Sequence, residues 1–246
     1  LTELTETNKK LKSDMDKERE QEKKRMEFFA ASSHELKTPV TILKGQIEGM
    51  IEGVGSYKDR DKSLMRAKEV TETLQDMVQE ILTISKMEAS GFVLKKAETD
   101  MAELFRIQLA DLTSLFEEKH MKMEVSIPES LRCRVDIALM EKVIRNILVN
   151  AVRYSPEGEK IYVRLFQKEN SVTGQVENFG VQIPPEKMDK IFDAFYRVDT
   201  SRNSKNGGSG LGLYIVREIL ELHKAEYKIE NTASGVQFTF QLFLKE

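Results

Sequence analysis

Glu141-Lys-Val-Ile-Arg145-Asn146-Ile-Leu-Val-Asn150-Ala-Val-Arg153-Tyr154-Ser155-Pro156 carries two patterns at once. Ile147 and Leu148 lie on the apolar face of a helix predicted over about 136–152. Asn146, Asn150 and Arg153 are spaced by four and three residues, so they project from the opposite face. Amide oxygens suit Mg²⁺, a hard cation that prefers oxygen ligands and keeps several waters. An Arg one turn further on offers a planar fork to phosphate oxygens. Alone, this spacing also fits polar residues on a solvated helix face. Its meaning depends on the segments around it.

Two glycine-containing segments follow. Glu177-Asn178-Phe179-Gly180-Val181-Gln182-Ile183-Pro184 ends an apparent strand with a polar side chain. Gly180 then lets a flat ligand approach the backbone. Asn206-Gly207-Gly208-Ser209-Gly210-Leu211-Gly212-Leu213-Tyr214-Ile215 leads straight into an apolar helix. Exposed backbone N–H groups at a helix N-terminus make an anion site. The Gly-Lys-Ser/Thr ending of a Walker A loop is absent, and the spacing is not a clean dinucleotide fingerprint.

Toward the N-terminus lies Ser33-His34-Glu35-Leu36-Lys37-Thr38-Pro39. A seam of Leu36, Val40, Leu43, Ile47, Met50 and Val54 is expected to face inward, leaving His34 outward with Thr38 one turn along. A neutral imidazole is a competent nucleophile at physiological pH, provided one ring nitrogen is free to attack. A carboxylate on the other nitrogen, here the neighbouring Glu35, fixes the tautomer and stabilises the cation that forms. Thr38 is placed to position a water for the reverse hydrolysis. Pro39 lacks an N–H and is expected to kink the helix.

Gly53-Val-Gly55-Ser56 breaks that helix, and Leu64, Ala67, Thr71, Leu74, Val78 and Ile81 form a second seam. Two helices with seams this narrow make a thick core only when two hairpins associate, so a dimeric four-helix bundle is expected. Residues 1–27, with Leu1, Leu4, Leu11 and Met15 at helical spacing, read as an exposed signalling helix or weak coiled coil. Residues 89–99 read as a linker. Beyond Asp100, helices at about 100–118, 136–152 and 210–223 alternate with strands at 122–127, 160–167, 172–177, 227–231 and 236–244. That mixture predicts an α+β layer. The expected domains are 1–27, 28–90 and 91–246.

The balance of 38 basic and 41 acidic residues gives a formal charge of -3. No basic face of the kind nucleic acids require follows from it. Cys133 is the only cysteine, which excludes an intramolecular disulfide and fits a reducing compartment. No apolar run approaches the ~20 residues of a membrane span. The chain opens at Leu1 inside a helical pattern without an initiator Met, and is expected to be a fragment whose sensing region precedes Leu1.

In this order the segments resemble bacterial sensor histidine kinases across nearly all of residues 28–246. His34 to Pro39 looks like the phosphoacceptor box and Asn146 to Tyr154 like the N box. Asn178-Phe179-Gly180 matches the first glycine box. Phe192-Asp-Ala-Phe195-Tyr-Arg197 looks like the F box, and Gly208-Ser-Gly210-Leu-Gly212-Leu is similar to the second glycine box. The resemblance implies a multi-domain α and α+β protein: a dimeric four-helix bundle followed by an α/β sandwich ATP-binding domain of the gyrase and Hsp90 kind. It implies ATP and Mg²⁺ as cofactors and a homodimer that phosphorylates His34, then transfers the group to an Asp of a cognate response regulator. Glu35 would be the acid/base partner and Thr38 would serve phosphatase activity. Asn150 would hold Mg²⁺ with Asn146 nearby, Arg153 and Arg197 would face the phosphates, and Tyr154 would lie beside the nucleotide. Gly180, Ile183, Phe195, Gly208, Gly210, Leu211, Gly212 and Leu213 complete the implied ATP contacts, with residues near 198–209 as a mobile lid. The chain would be the cytoplasmic portion of a membrane protein, anchored through its missing sensor region. The text around Phe28–Asp61 is also similar to the vancomycin-resistance and cell-envelope-stress sensors.

Departures from the family pattern sharpen the reading. Asn178 stands where the family usually has an Asp that accepts from the adenine amino group, so binding is expected to persist but weaken. Arg153 replaces the more common Lys. His223-Lys224-Ala225 replaces His-Gly-Gly, so a different turn is expected there. Hydrolytic relatives carry a Glu four residues before the Mg²⁺ Asn; here that position is Asn146, which cannot act as a base. Phosphoryl transfer is therefore favoured over simple ATP hydrolysis. The rival readings are a degenerate kinase acting as phosphatase or scaffold, and a hydrolytic ATPase.

Overall fold

The computed structural model describes residues 2–198 and 208–244, and the chain divides into two compact units, 1–81 and 82–246. In the first, α1 (Thr2–Glu52) runs through Pro39 as one continuous helix. The segments expected as 1–27 and 28 onward are thus one element, and Pro39 does not interrupt it. Gly53 and Gly55 then adopt left-handed φ values of 65° and 55°, and Gly53 N–H donates to the Gly49 carbonyl at 2.9 Å, closing the helix end. A short 3₁₀ turn (Gly55–Lys58) leads to α2 (Arg60–Met87). Tyr57 lies flat against Gly49, where any Cβ would overlap its ring.

Within the single hairpin, the expected seams are only partly covered, as seams meant to meet a second hairpin would be: Ala67 is buried and Leu36, Leu43, Met50, Leu74 and Ile81 are half-buried. Phe28, Ser32, Pro39 and Gly49 are buried on α1, and Ser63, Ala67 and Met77 on α2. Val40, Ile47, Val54, Leu64 and Val78, all placed on the expected seams, are 41–57% exposed. Local hydrogen bonding lets Ser32 and Ser63 pack inside the single hairpin. Ser32 donates to the Phe28 carbonyl at 2.7 Å and Ser63 to that of Asp59 at 2.8 Å. With their polarity spent on their own helix, these small residues permit close packing. Leu11 and Met15 are exposed, and Leu1 and the side chain of Leu4 lie outside the described residues.

The second unit is built on a five-stranded sheet. Its strands are β2 (Lys122–Ser126), β4 (Lys160–Lys168), β5 (Ser171–Phe179), β6 (Glu226–Asn231) and β7 (Gly235–Phe243), in the spatial order β2-β4-β5-β7-β6. Only β2 and β4 are parallel. The strand period of two puts Ile161, Val163 and Leu165 of β4 on the same face as Val176 and Asn178 of β5 and Val236, Phe238 and Phe240 of β7. That face is the buried one, and α3 (Met101–Asp111), α5 (Ile137–Tyr154) and α6 (Gly212–Leu222) supply the apolar side chains that complete the core. Phe105 of α3 stacks on Phe240 at 6.3 Å, over Gly174. The helix expected over 100–118 breaks at Leu112 into α3 and α4 (Thr113–Glu118).

Part of the expected linker is ordered. β1 (Ala97–Asp100) pairs antiparallel with β3 (Arg132–Val135). Asp100 caps α3 by accepting from Ala102 N–H and also accepts from Leu131 N–H, each at 3.0 Å. These bonds hold its carboxyl below the ordinary value. Buried His223 closes α6: Nδ1–H donates to the Ile219 carbonyl at 2.8 Å and Nε2 accepts from Asp136 N–H at 3.0 Å. Both bonds use the neutral imidazole, and burial pushes its pKa down.

Lys224 follows with φ 55°. The turn that His-Lys-Ala was expected to alter thus takes a left-handed conformation even without glycine, at the cost of strain. Lys224→Gly is expected to stabilise the chain by about 0.5–1 kcal/mol. Thermal unfolding checks this, with the midpoint rising by about 2 °C; a fall would show that the Lys side chain contributes more than the strain costs.

Candidate phospho-acceptor and nucleotide sites

His34 stands on α1 with its side chain 79% exposed, and Nδ1 lies 3.3 Å from Glu35 Oε1. An ionised carboxylate only accepts, so this contact assigns the proton to Nδ1 and leaves the lone pair on Nε2. The hydroxyls around it are occupied: Ser33 donates to the Phe29 carbonyl and Thr41 to the Lys37 carbonyl. Thr38 is exposed one turn beyond His34. Because Pro39 has no N–H, the Glu35 carbonyl loses its helical donor beside the imidazole.

The second unit contains a cavity of about 360 Å³ between the sheet, α5 and the segment after β5. That volume lies in the range of small-molecule sites. Of the sequence-predicted residues, Asn150, Tyr154, Asn178, Ile183, Arg197 and Leu213 line it together. Asn178 is 8% exposed, at the end of the central strand's buried face. Ile147, Val176, Ile229, Val236 and Phe238 make most of the remaining wall apolar.

Asn146 and Arg153 stand beside the cavity, held against the glycine segment. A Cβ at Gly212 would lie 3.4 Å from Asn146 Oδ1 and 3.7 Å from the Asn150 amide nitrogen. A Cβ at Gly208 would overlap the Arg153 guanidinium. Gly210 has φ 75°, and its carbonyl accepts from Phe195 N–H at 3.0 Å, with Phe195 itself at φ 63°. The segment around Phe195 and the glycine segment are thus stitched backbone to backbone. Leu211 is fully buried and caps α6, so it offers its backbone rather than its side chain. Gly180, at φ 77°, makes the turn out of β5. Most of the expected lid, with Asn206 and Gly207, lies outside the described residues. No group of three or more His, Cys, Asp or Glu suited to a metal occurs among the described residues. The two amides fit a cation that arrives with a nucleotide and takes most of its ligands from phosphate and water.

Two contributors were not legible beforehand. Lys119 donates to the Val152 and Arg153 carbonyls at 2.6 and 2.8 Å, capping the end of α5. Burial and the charge of Arg153 hold its amine below the ordinary value. Asn231, at the end of β6, clamps Ile183 in both directions. Its Oδ1 accepts from Ile183 N–H at 2.9 Å and its Nδ2 donates to the Ile183 carbonyl at 2.7 Å. Beside it, Thr232 donates to Glu177 at 2.7 Å. Asn231→Ala is expected to weaken nucleotide binding by about tenfold, because the wall residue Ile183 loses both anchors. Titration calorimetry of ADP checks it, and unchanged affinity would show the clamp to be dispensable.

Two family models match this architecture. Residues 24–90 match the His Kinase A (phospho-acceptor) domain, and residues 135–246 match the histidine kinase-, DNA gyrase B- and HSP90-like ATPase. The chain belongs to the sensor histidine kinases. It is 33% identical over 239 residues to sensor protein VanSB of Enterococcus faecalis, covering 97% of this chain and 54% of that protein. It is 30% identical over 238 residues to sensor histidine kinase WalK of Bacillus subtilis, covering 95% and 39%. Among solved structures, histidine kinase AdeS of Acinetobacter baumannii shares the fold with a TM-score of 0.73 and 24% identity over 87% of this chain and 98% of that one. Histidine kinase ThkA, in complex with response regulator TrrA, gives 0.72 and 26% over 89% and 61%. The chain spans about half the length of the curated relatives it matches. Among the described residues no helix is long and apolar enough to cross a membrane.

Proposed function

We propose that this chain is the kinase region of a sensor protein, which binds Mg-ATP and transfers the γ-phosphoryl group to its own His34. The lone pair of Nε2 forms the new N–P bond, the bond from the γ-phosphorus to the bridging oxygen breaks, and ADP leaves. Glu35 holds the Nδ1 proton and stabilises the imidazolium as charge develops. Arg153 and Arg197 meet the phosphate oxygens, and Tyr154 and Ile183 flank the nucleotide. Mg²⁺, held through Asn150 with Asn146 nearby, would neutralise charge on the phosphates. Gly180, Gly208, Gly210 and Gly212 let backbone approach the ligand, and Phe195, Leu211 and Leu213 fix the shape of that approach. Catalysis then rests on positioning and charge stabilisation.

The observation that carries this reading is Asn146, one turn before Asn150 and against Gly212. A hydrolytic site needs a base there, and an amide cannot be one. γ-Labelled ATP tests it: a base-stable, acid-labile adduct on the protein is expected. Sustained phosphate release without that adduct would favour a hydrolytic ATPase instead.

The phosphoryl group would pass next to an Asp of a response regulator, a reading supported by the ThkA complex with TrrA. The exposed apolar stripe of Val40, Ile47, Val54, Leu64 and Val78 supports a homodimer through a four-helix bundle. We place the chain on the cytoplasmic side of a membrane-anchored sensor, where ATP is available. Cys133 fits that compartment: it is buried, and burial pushes its thiol up to about 12. For Thr38, the expected result of Thr38→Ala is autophosphorylation within about twofold of the parent, but dephosphorylation of the regulator reduced by about tenfold or more. Unchanged phosphatase activity would remove Thr38 from that role. A second reading, a scaffold or phosphatase without kinase activity, is motivated by Asn178; calorimetry showing no binding at millimolar ATP would support it.

A further inference from the structure

The Asn178 side chain is buried in the cavity wall, while its backbone is paired on both sides with Ile161 and Val236. Among the described residues its carboxamide makes no hydrogen bond. The wall around it is apolar, with Val176, Ile183, Ile229 and Val236, and Arg197 is the one charged residue among those lining the cavity. The carboxamide faces the cavity, so a ligand seated there can pair both its acceptor and its donor.

A carboxamide carries one acceptor and one donor side by side. A 6-aminopurine offers it an amino donor at N6 and an acceptor at N1. A 6-oxopurine offers the reverse, an acceptor at O6 and a donor at N1. A half-turn about the terminal side-chain torsion exchanges Oδ1 and Nδ2, and that torsion is roughly two-fold. Among the described residues no hydrogen bond fixes which way the group points. A carboxylate at this place would have only acceptors and would repel O6.

We infer that Asn178 lets this site take 6-oxopurine nucleotides alongside adenine nucleotides. The inference rests on the proposal that the cavity binds ATP. Strong discrimination requires that the wrong ligand leave buried polar groups unpaired. Here neither purine does so.

Titration calorimetry with ADP and IDP on the unmodified chain tests it. The IDP dissociation constant is expected within about tenfold of that for ADP. In Asn178→Asp the ratio is expected to widen by at least about tenfold. IDP binding more than about a hundredfold weaker than ADP in the unmodified chain would overturn the inference and leave the ATP reading intact. An unchanged ratio in Asn178→Asp would also overturn it. Absence of binding by either nucleotide at millimolar concentration would overturn both. Should the variant fail to fold, labelling of the unmodified chain from γ-labelled ITP decides: label at about a tenth of the ATP level or more supports the inference, and less overturns it.

Discussion

His34→Gln is expected to abolish transfer of label from γ-labelled ATP to the chain, while ADP affinity stays within about twofold of the parent. The loss should be complete rather than graded, because the reaction makes its new bond at Nε2 and a carboxamide has no comparable nucleophile. Folding should be unaffected. The side chain is 79% exposed and, among the described residues, its one polar contact is to the neighbouring Glu35, and surface changes of this kind stay within about 0.5 kcal/mol. Label retained in His34→Gln would move the acceptor elsewhere. Label lost together with ADP binding would point to a folding defect. Glu35→Gln makes the companion measurement: labelling should persist but slow by about tenfold or more, since an amide can still bond Nδ1 without stabilising the imidazolium.

Gly210→Ala should badly damage the nucleotide site through a single added methyl. At φ 75° an L side chain is strained, at about 1 kcal/mol or more. The added Cβ would also lie 2.7 Å from Phe195 Cα and 2.8–2.9 Å from its carbonyl carbon and oxygen. Those are backbone atoms, so no side chain can rotate away. The only relief is to part the segment around Phe195 from the glycine segment, breaking the bond from Phe195 N–H to the Gly210 carbonyl. Arg197 and Leu213, both in the cavity wall, lie on the two sides of that seam. ATP affinity is expected to fall by about thirtyfold or more, with far-ultraviolet circular dichroism unchanged. Full binding would show that the seam is not needed to shape the site.

The central layer of the second unit was largely visible in the sequence, because α5 and strands β4, β5 and β7 carry long, consistent periods. The elements it hid are short or polar. Glu98 of β1 falls in the expected linker, β3 carries too short a pattern to be expected as a strand, and only Thr99, Cys133 and Val135 in the pair are buried. In the hairpin, the inward packing of Ser32 and Ser63 was hidden because they look hydrophilic until their hydroxyls are seen bonded to their own helices. For the nucleotide site, glycines and amides marked the right segments, since backbone approach and cation binding each demand particular residue types. Asn231 left no such mark. It acts on the backbone of a residue 48 positions away, and an Asn at a strand end carries no mark of that in sequence. Lys224 shows the converse: the unusual residue was noticed, but the chain kept the left-handed turn and accepted the strain.

The strand order has a consequence for how the domain is made. β7 is the last of the five strands in sequence, yet it lies between β5 and β6 rather than at an edge. A nascent chain that has already released β5 and β6 cannot join them, because the strand that separates them is still to come. Closure of the sheet is therefore deferred until residues 235–243 have been synthesised, a long-range pairing of the kind that slows folding and leaves strand edges open meanwhile. A premature stop before Gly235 would remove the strand that joins β5 to β6 and leave β6 unpaired, so the product should be degraded rather than persist as a shortened kinase.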